Sequence, residues 1–184
     1  MNLVNRARNI ILKPREEWHV IDAEPLDLQQ LLTTYVIPLA AIGPIATFIG
    51  WTMFGVGGFV RLSVGVALQF AILSFIAAIA GVFIIAWIVN ALAPTFGAQQ
   101  SMPQSIKLAA YGATASWLAA IFGLIPALAF LSILGLYSLY LLYVGLPILM
   151  KAPQEKVVPY LIAVIVAAVV SYVLLSWIVR TIAF

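Results

Sequence analysis

The first residues that could do chemistry are His19 and the carboxylates around it. This histidine is the only one in the chain, and its neighbours are Glu16, Glu17, Asp22 and Glu24. A histidine among carboxylates can bind a metal ion or act as a general base when the partners converge. These carboxylates all lie outside the predicted membrane spans, so we interpret His19 as a surface histidine. We expect no catalytic residue, no metal site and no bound cofactor in this chain.

The second group is a strip of tyrosines, Tyr137, Tyr140 and Tyr143. At 3.6 residues per turn, positions three apart drift by about 60° per step, so the strip is broad. The hydroxyls could line a cleft and bind a headgroup or a partner. Alternatively, Tyr143 lies in an interfacial aromatic belt while the other two bond to neighbouring helices, which is the commoner use of tyrosine.

Other reactive motifs are missing from the sequence. There are no cysteines, which excludes thiol chemistry, and no HExxH, GxSxG or P-loop motif is present. No ionisable side chain lies deep inside a predicted span, whereas proton relays and ion-coupled transporters usually carry one there. The pattern argues against a proton-coupled pump and predicts a protein that is not an enzyme.

The composition places the chain in a membrane. Of its 184 residues, 65% are hydrophobic and only 8% are charged, against about 25% charged in soluble domains. Such a chain has too few polar side chains to cover a soluble surface. The net charge of +3 is small, and we expect no nucleic-acid partner.

The charge-free stretches define the spans. Residues 62–106 and 108–150 each have room for two helices of about 20 residues, which allows six spans at most. Residues 94–105 read as a polar loop with two prolines, so five remain. We predict an all-α integral membrane protein with an N-terminal segment of residues 1–27. The predicted spans are residues 28–54, 63–92, 107–123, 126–150 and 158–179.

Two spans carry distinctive residues. Pro38 and Pro44 interrupt the first, where a kink is expected because proline removes a backbone donor and clashes with the preceding turn. The third carries Gly112, Ser116 and Ala120 at intervals of four. Small residues allow helix backbones to approach closely in lipid, so we predict that the third span is the most buried.

The N-terminal segment is predicted to be amphipathic and cytoplasmic. Residues 2–12 place Leu3, Ala7 and Ile10 on one helical face and Arg6 on the other. Such a helix is suited to lying in the headgroup plane. Trp18 and, at the other end of the chain, Trp177 are predicted to be interfacial anchors.

The placement of basic residues predicts the orientation. With five spans, seven of the nine basic residues lie on the side of the N-terminus, and only Arg61 and Arg180 lie on the other. We therefore predict a multi-pass protein of the cell (inner) membrane. Because cytoplasmic loops are rich in Lys and Arg, the N-terminus is predicted in the cytoplasm and the C-terminus on the opposite side.

Several motifs resemble the Yip family of Ypt/Rab-interacting membrane proteins. They are residues 140–147, YLLYVGLP, with the polar loop that follows; residues 14–18, PREEW; and residues 110–114, AYGAT. The resemblance extends from about residue 8 to the end. It implies five helices, a cytoplasmic N-terminus and a part in membrane organisation or trafficking. The candidate partner- or lipid-binding residues are Tyr111, Tyr137, Tyr140, Tyr143, Gly145 and Pro147.

Two functions remain open at this point. The first is a non-enzymatic protein that works by binding membrane lipids, other membrane proteins or further copies of itself. The small-residue stripes and the lack of buried charge favour it. The alternative is a transporter or channel for a neutral or lipid-like solute, which the kinked first span and the tyrosine strip would serve.

Overall fold

The computed structural model describes residues 2–183, without the side chains of residues 175, 178–180 and 182–183. The part that it describes contains helices, loops and one isolated bridge, between Val56 and Val60. Five helices are long and apolar enough to cross a membrane. These first to fifth spans are Leu28–Met53, Val64–Phe96, Met102–Leu124, Pro126–Leu149 and Gln154–Leu174. The all-α membrane fold with five spans is confirmed.

A helical hairpin precedes the spans. It consists of α1 (Leu3–Leu12) and α2 (Pro14–Ala23). The side chain of Asn2 accepts a hydrogen bond from the backbone N–H of Val4 and caps α1. Pro14 fits the first position of α2, since the N–H that proline lacks has no partner in a helix there. This segment is called the N-terminal hairpin below.

The first span is irregular near its prolines. It contains a π-helical turn at Leu32–Val36, which ends two residues before Pro38, and a break between Ala40 and Ile42. Pro38 offers no N–H to the carbonyl four residues earlier, so the helix widens locally. The hydroxyl of Thr34, in the π-helical turn, donates to the carbonyl of Gln30 at 2.7 Å.

The third span differs from its predicted start. It begins at Met102, with Pro103 in the first turn, so the end of the predicted loop is helical. The loop prediction was wrong here because a proline that can end a helix can also begin one. In the most apolar 18-residue stretch of this span 50% of the residues are buried, against 17–28% in the other four spans. The prediction that the third span is the most buried is confirmed.

The fourth span begins with a long 3₁₀ segment, Pro126–Leu136, and continues as the α-helix Tyr137–Leu149. Runs of 3₁₀ helix longer than four residues are uncommon, since their hydrogen-bond geometry is poorer. The third span supports this one: the hydroxyl of Ser116 donates to the carbonyl of Gly135 at 3.1 Å. A Cβ at Gly135 would lie 3.2 Å from the Cα of Ser116, so the two backbones touch.

Contacts between the loops define the two ends of the bundle. Asp22 of the N-terminal hairpin bonds to Lys151, after the fourth span, and to Gln104, in the first turn of the third. These segments therefore share one end, called the hairpin end below. At the opposite end, the position of a Cβ on Gly58 lies 3.9 Å from Pro126, so the first and third connections meet there.

Candidate functional site

The most unexpected feature is a buried ionic cluster in the N-terminal hairpin. The Arg6 guanidinium donates to Glu17 at 2.7 Å and to both carboxylate oxygens of Glu24 at 2.5 and 2.6 Å. Arg6 is 4% exposed and Glu17 is 5% exposed. The prediction that Arg6 lies on the polar face of α1 was wrong. Arg6 precedes Ile10 by four residues and shares its buried face, where Glu17 of α2 and Glu24, directly after α2, neutralise the guanidinium.

The electrostatics of this cluster keep Arg6 charged. Burial by itself lowers the pKa of Arg6, but the hydrogen bond to Glu24 and the charges of Glu24 and Glu17 outweigh it, so the pKa is raised. A raised pKa in the folded state contributes stability that is fully present below the pKa of arginine in the unfolded chain. The contribution is lost only as the pH rises through the folded value, so it is present throughout the physiological range.

Three aromatic and hydroxyl groups extend the cluster into the bundle. The guanidinium carbon of Arg6 lies 5.5 Å from the ring centroid of Tyr111, which is a cation–π contact. That ring packs on Tyr35 with centroids 4.6 Å apart, and the Tyr35 hydroxyl bonds to Thr114 at 2.7 Å. Tyr111, one of the sequence-predicted binding residues, thus joins the hairpin to the first and third spans.

Lys107 holds the C-terminus of α2. Its ammonium group is buried and donates to the carbonyls of Ile21 at 2.7 Å and Glu24 at 2.8 Å. Carbonyls at a helix C-terminus have no partner in the helix and carry partial negative charge, so a cation satisfies and stabilises them. Lys107, which begins the third predicted span, therefore stabilises the N-terminal hairpin by bonding to the end of α2.

Trp18 anchors the hairpin to the bundle and does not face the headgroups. Its side chain is fully buried, and its indole N–H donates to the carbonyl of Leu141 at 3.1 Å. The ring lies over Gly145, where a Cβ would come within 2.8 Å of the Trp18 Cε2 atom. The prediction of an interfacial anchor was wrong for this residue because α2 packs on the fourth span. Trp177 is 67% exposed, and its role as an anchor stays a prediction.

Replacing Gly145 by alanine should loosen this contact. The added Cβ would lie 2.5 Å from the Leu108 Cδ1 atom and against the rigid Trp18 ring. We expect a loss of about 1–3 kcal/mol in the free energy of unfolding, measured in mixed micelles with increasing denaturing detergent. The matched control is Gly65→Ala, where no atom lies within 4 Å of the new methyl group. Equal stability of the two variants would contradict the packing described here.

The predicted tyrosine strip is divided by the structure. Tyr137 and Tyr140 are partly exposed and their ring centroids lie 5.3 Å apart. The Tyr137 hydroxyl donates to the carbonyl of Ile11 at 2.9 Å, so it bonds to the hairpin. Tyr143 lines a separate pocket of 430 Å³ together with Pro147. The six candidate residues therefore do not form one site.

A polar cavity of 380 Å³ lies beside the ionic cluster. Arg6, Glu24, Lys107 and Tyr111 line it together with the start of the first span. No group of three or more His, Cys, Asp or Glu side chains placed to hold a metal ion occurs in the described part of the chain. The charges of Arg6, Glu17 and Glu24 are already paired with one another, so we interpret this ionic cluster as stabilising the fold.

A lateral groove of 600 Å³ opens between the second, third and fifth spans. It consists of small residues, hydroxyl-bearing residues and larger apolar ones. The small ones are Ala77, Ala78, Gly81, Ala113 and Ala168; the hydroxyl-bearing ones are Ser74, Ser116, Ser171, Tyr172 and Ser176; and the larger ones are Phe70, Ile84, Ile85 and Trp117. Of the small residues spaced at intervals of four in the third span, Ser116 lines this groove.

Sequence reasoning missed the residues that organise the hairpin end. The local pattern predicts that Arg6, Glu17 and Lys107 lie at the surface or at the membrane boundary. Their contacts form only because the N-terminal hairpin packs against the spans, and a local sequence pattern does not show that packing. One signal was present: Arg6, Glu17 and Glu24 all lie within the N-terminal segment of residues 1–27, which is otherwise amphipathic. His19 is exposed, as predicted, and lines the same pocket as Tyr143.

Comparison with known proteins agrees with the motifs. The family model described as the Yip1 domain matches residues 8–178. The chain is 29% identical over 151 residues to the inner membrane protein YohC of Escherichia coli strain K12, covering 78% of this chain and 77% of the relative. The protein of the same name from E. coli O6:H1 gives the same values, and no solved structure matches. With the family model covering most of its length, this chain belongs to the Yip1 family.

Proposed function

We propose that this protein is a non-enzymatic, multi-pass protein of the inner membrane that binds a lipid chain in its lateral groove. The observation that carries the proposal is the groove between the second, third and fifth spans, which has a volume of 600 Å³ and a mostly apolar wall. The inner-membrane location is supported by the five spans and by the similarity to inner membrane protein YohC.

The length of the groove suits a lipid tail. On the second span its lining runs from Phe70 to Ile85. At 1.5 Å per residue these positions are about 22 Å apart along the helix. One leaflet contributes about half of the ~30 Å hydrocarbon core. The groove is therefore long enough to take an acyl chain over the full depth of one leaflet.

Two of the five hydroxyl-bearing side chains of the groove are already bonded to backbone. The Ser116 hydroxyl donates to the carbonyl of Gly135, and the Ser171 hydroxyl donates to the carbonyl of Ala167. Because these two donors are occupied and the wall is mostly apolar, it favours an apolar occupant over a sugar-like one. The observation supports lipid binding over transport of a neutral polar solute.

The tyrosine strip gives no support to the transport alternative. Tyr137 and Tyr140 lie on the fourth span, and neither lines the lateral groove. A transport role for their hydroxyls requires solute flux in proteoliposomes that is lost in Tyr137→Phe or Tyr140→Phe. We propose instead that the strip meets the lipid and the hairpin.

Filling the groove should release the lipid. Gly81 lines it, and no atom lies within 4 Å of a Cβ built there, so Gly81→Leu should fill the space without a clash. We expect at least a tenfold loss of co-purified phospholipid in native mass spectrometry, since most of an apolar chain's contacts would be displaced. The control is Gly65→Leu, on the same helix and equally open at its Cβ. Equal lipid retention by both variants would overturn the proposal.

The orientation is part of the same proposal. The hairpin end carries the N-terminal hairpin and the connections before the third and fifth spans, with most of the basic residues. We place this end in the cytoplasm, which puts most of the groove in the outer leaflet. Reporter fusions at the two termini should report opposite compartments.

A further inference from the structure

We propose that the pocket between the N-terminal hairpin and the fourth span binds the phosphate of an anionic phospholipid headgroup. The pocket has a volume of 430 Å³ and lies at the hairpin end of the bundle. It is separate from the lateral groove, and the inference does not rest on the function proposed for that groove.

The charges that line the pocket are of one sign. Arg15 and Lys151 line it together with His19, and no carboxylate is among its lining residues. The Lys151 ammonium donates to Asp22 and to the carbonyl of Ile148, each at 2.6 Å, and Asp22 does not line the pocket. Arginine and lysine side chains near a membrane surface attract anionic lipids.

The remaining wall matches the part of a lipid next to its phosphate. Val144, Pro147 and Ile148 line the pocket, and all three belong to the fourth span. Tyr143 also lines the pocket, and a tyrosine hydroxyl can donate to a phosphate oxygen. A cationic rim over an apolar wall suits a phosphate ester that is joined to acyl chains.

The position of the pocket selects the lipid over free phosphate. Lys151 follows the end of the fourth span at Leu149 by two residues, and Arg15 lies in the first turn of α2. These cations therefore lie where the apolar span gives way to the polar loop, which is the depth of lipid headgroups.

The test compares lipids of different charge on the full-length protein. Phosphatidylglycerol and phosphatidylcholine are added separately to the purified protein in micelles, and bound lipid is counted by native mass spectrometry. We expect tighter binding of phosphatidylglycerol, and a loss of about fivefold in its affinity in Arg15→Gln, since the removed charge lies near the headgroup. Arg61→Gln, at the opposite end, should bind as the unaltered chain does.

A second pair of variants separates charge from folding. Lys151→Gln removes a pocket charge and also breaks the ion pair with Asp22, whereas Asp22→Asn breaks the pair and keeps the charge. We expect weaker binding only in Lys151→Gln. Equal weakening in both would assign the effect to structure and overturn the role of Lys151.

Two further outcomes would overturn the assignment. One is equal binding of the two lipids by the unaltered chain, which would mean that the pocket does not recognise negative charge. The other is competition by glycerol phosphate as effective as that of phosphatidylglycerol, which would mean that free phosphate esters are the ligand. Gly81→Leu should leave binding at this pocket unchanged, so failure of one site can be told from failure of the other.

Discussion

Replacing Arg6 by methionine should open the N-terminal hairpin about two to three orders of magnitude more often than in the unaltered chain. The change leaves Glu17 buried without its partner at 2.7 Å. Removing one member of a buried ion pair costs about 3–5 kcal/mol, and each 1.4 kcal/mol is about tenfold in an equilibrium. Arg6 also loses its contacts with Glu24 and the Tyr111 ring.

Opening can be measured with a single thiol. The chain contains no cysteine, so Ala7→Cys introduces a unique one at a position that is 7% exposed. Its rate of reaction with a maleimide reports how often the hairpin leaves the bundle. Arg8→Met is the matched control, since Arg8 is exposed one helix position away from Ala7. Unchanged protection in Arg6→Met would contradict a buried ionic cluster.

A compensating change distinguishes unpaired charge from lost packing. Arg6→Met combined with Glu17→Gln removes the buried charge that the single variant leaves behind. We expect this double variant to regain part of the protection, because a neutral amide costs less to bury than a carboxylate. If it were no better protected than Arg6→Met alone, the penalty would have to come from packing.

Replacing Trp18 by alanine should destabilise the protein by about 3–5 kcal/mol, as expected for removal of a large aromatic side chain from a packed interior. The indole is fully buried against the fourth span, and its N–H bonds to the carbonyl of Leu141. Unfolding in mixed micelles measures the loss. Trp18→Phe should lose less, because it keeps most of the ring and gives up the hydrogen bond.

The control for this prediction is the second predicted anchor. Trp177 is 67% exposed and lies three residues beyond the end of the fifth span at Leu174. Trp177→Ala should change the free energy of unfolding by no more than about 0.5 kcal/mol, as is usual for an exposed site. Losses of equal size in the two alanine variants would contradict the different burial of the two tryptophans.

The spans were predictable because the bilayer imposes a length and a polarity on each. Charge-free stretches, the polar loop near Pro94 and the turn before Pro126 located the five spans within a few residues. The start of the third span was missed since Pro103 fits both a loop and a helix N-terminus. Small residues identified the buried third span because close approach of backbones requires them.

The hairpin was not predictable from local patterns. Arg6 and Ile10 are four residues apart and share one face of α1, and this pattern is the same whether the helix lies in headgroups or folds onto α2. Trp18 is typical of an interface by residue type alone, and only Gly145, distant in sequence, provides the space that buries it. The lateral groove depends on how three helices are rotated about their axes, which hydropathy does not record.

The most direct test of lipid binding is to locate the bound chain. Phospholipid with a photoreactive diazirine in its acyl chain is incorporated into proteoliposomes with the unaltered protein and with Gly81→Leu, and crosslinked peptides are identified by mass spectrometry. We expect crosslinks on the groove walls of the second, third and fifth spans, strongly reduced in Gly81→Leu and retained in Gly65→Leu. Crosslinks spread evenly over all five spans, and unaffected by Gly81→Leu, would contradict lipid binding in the lateral groove.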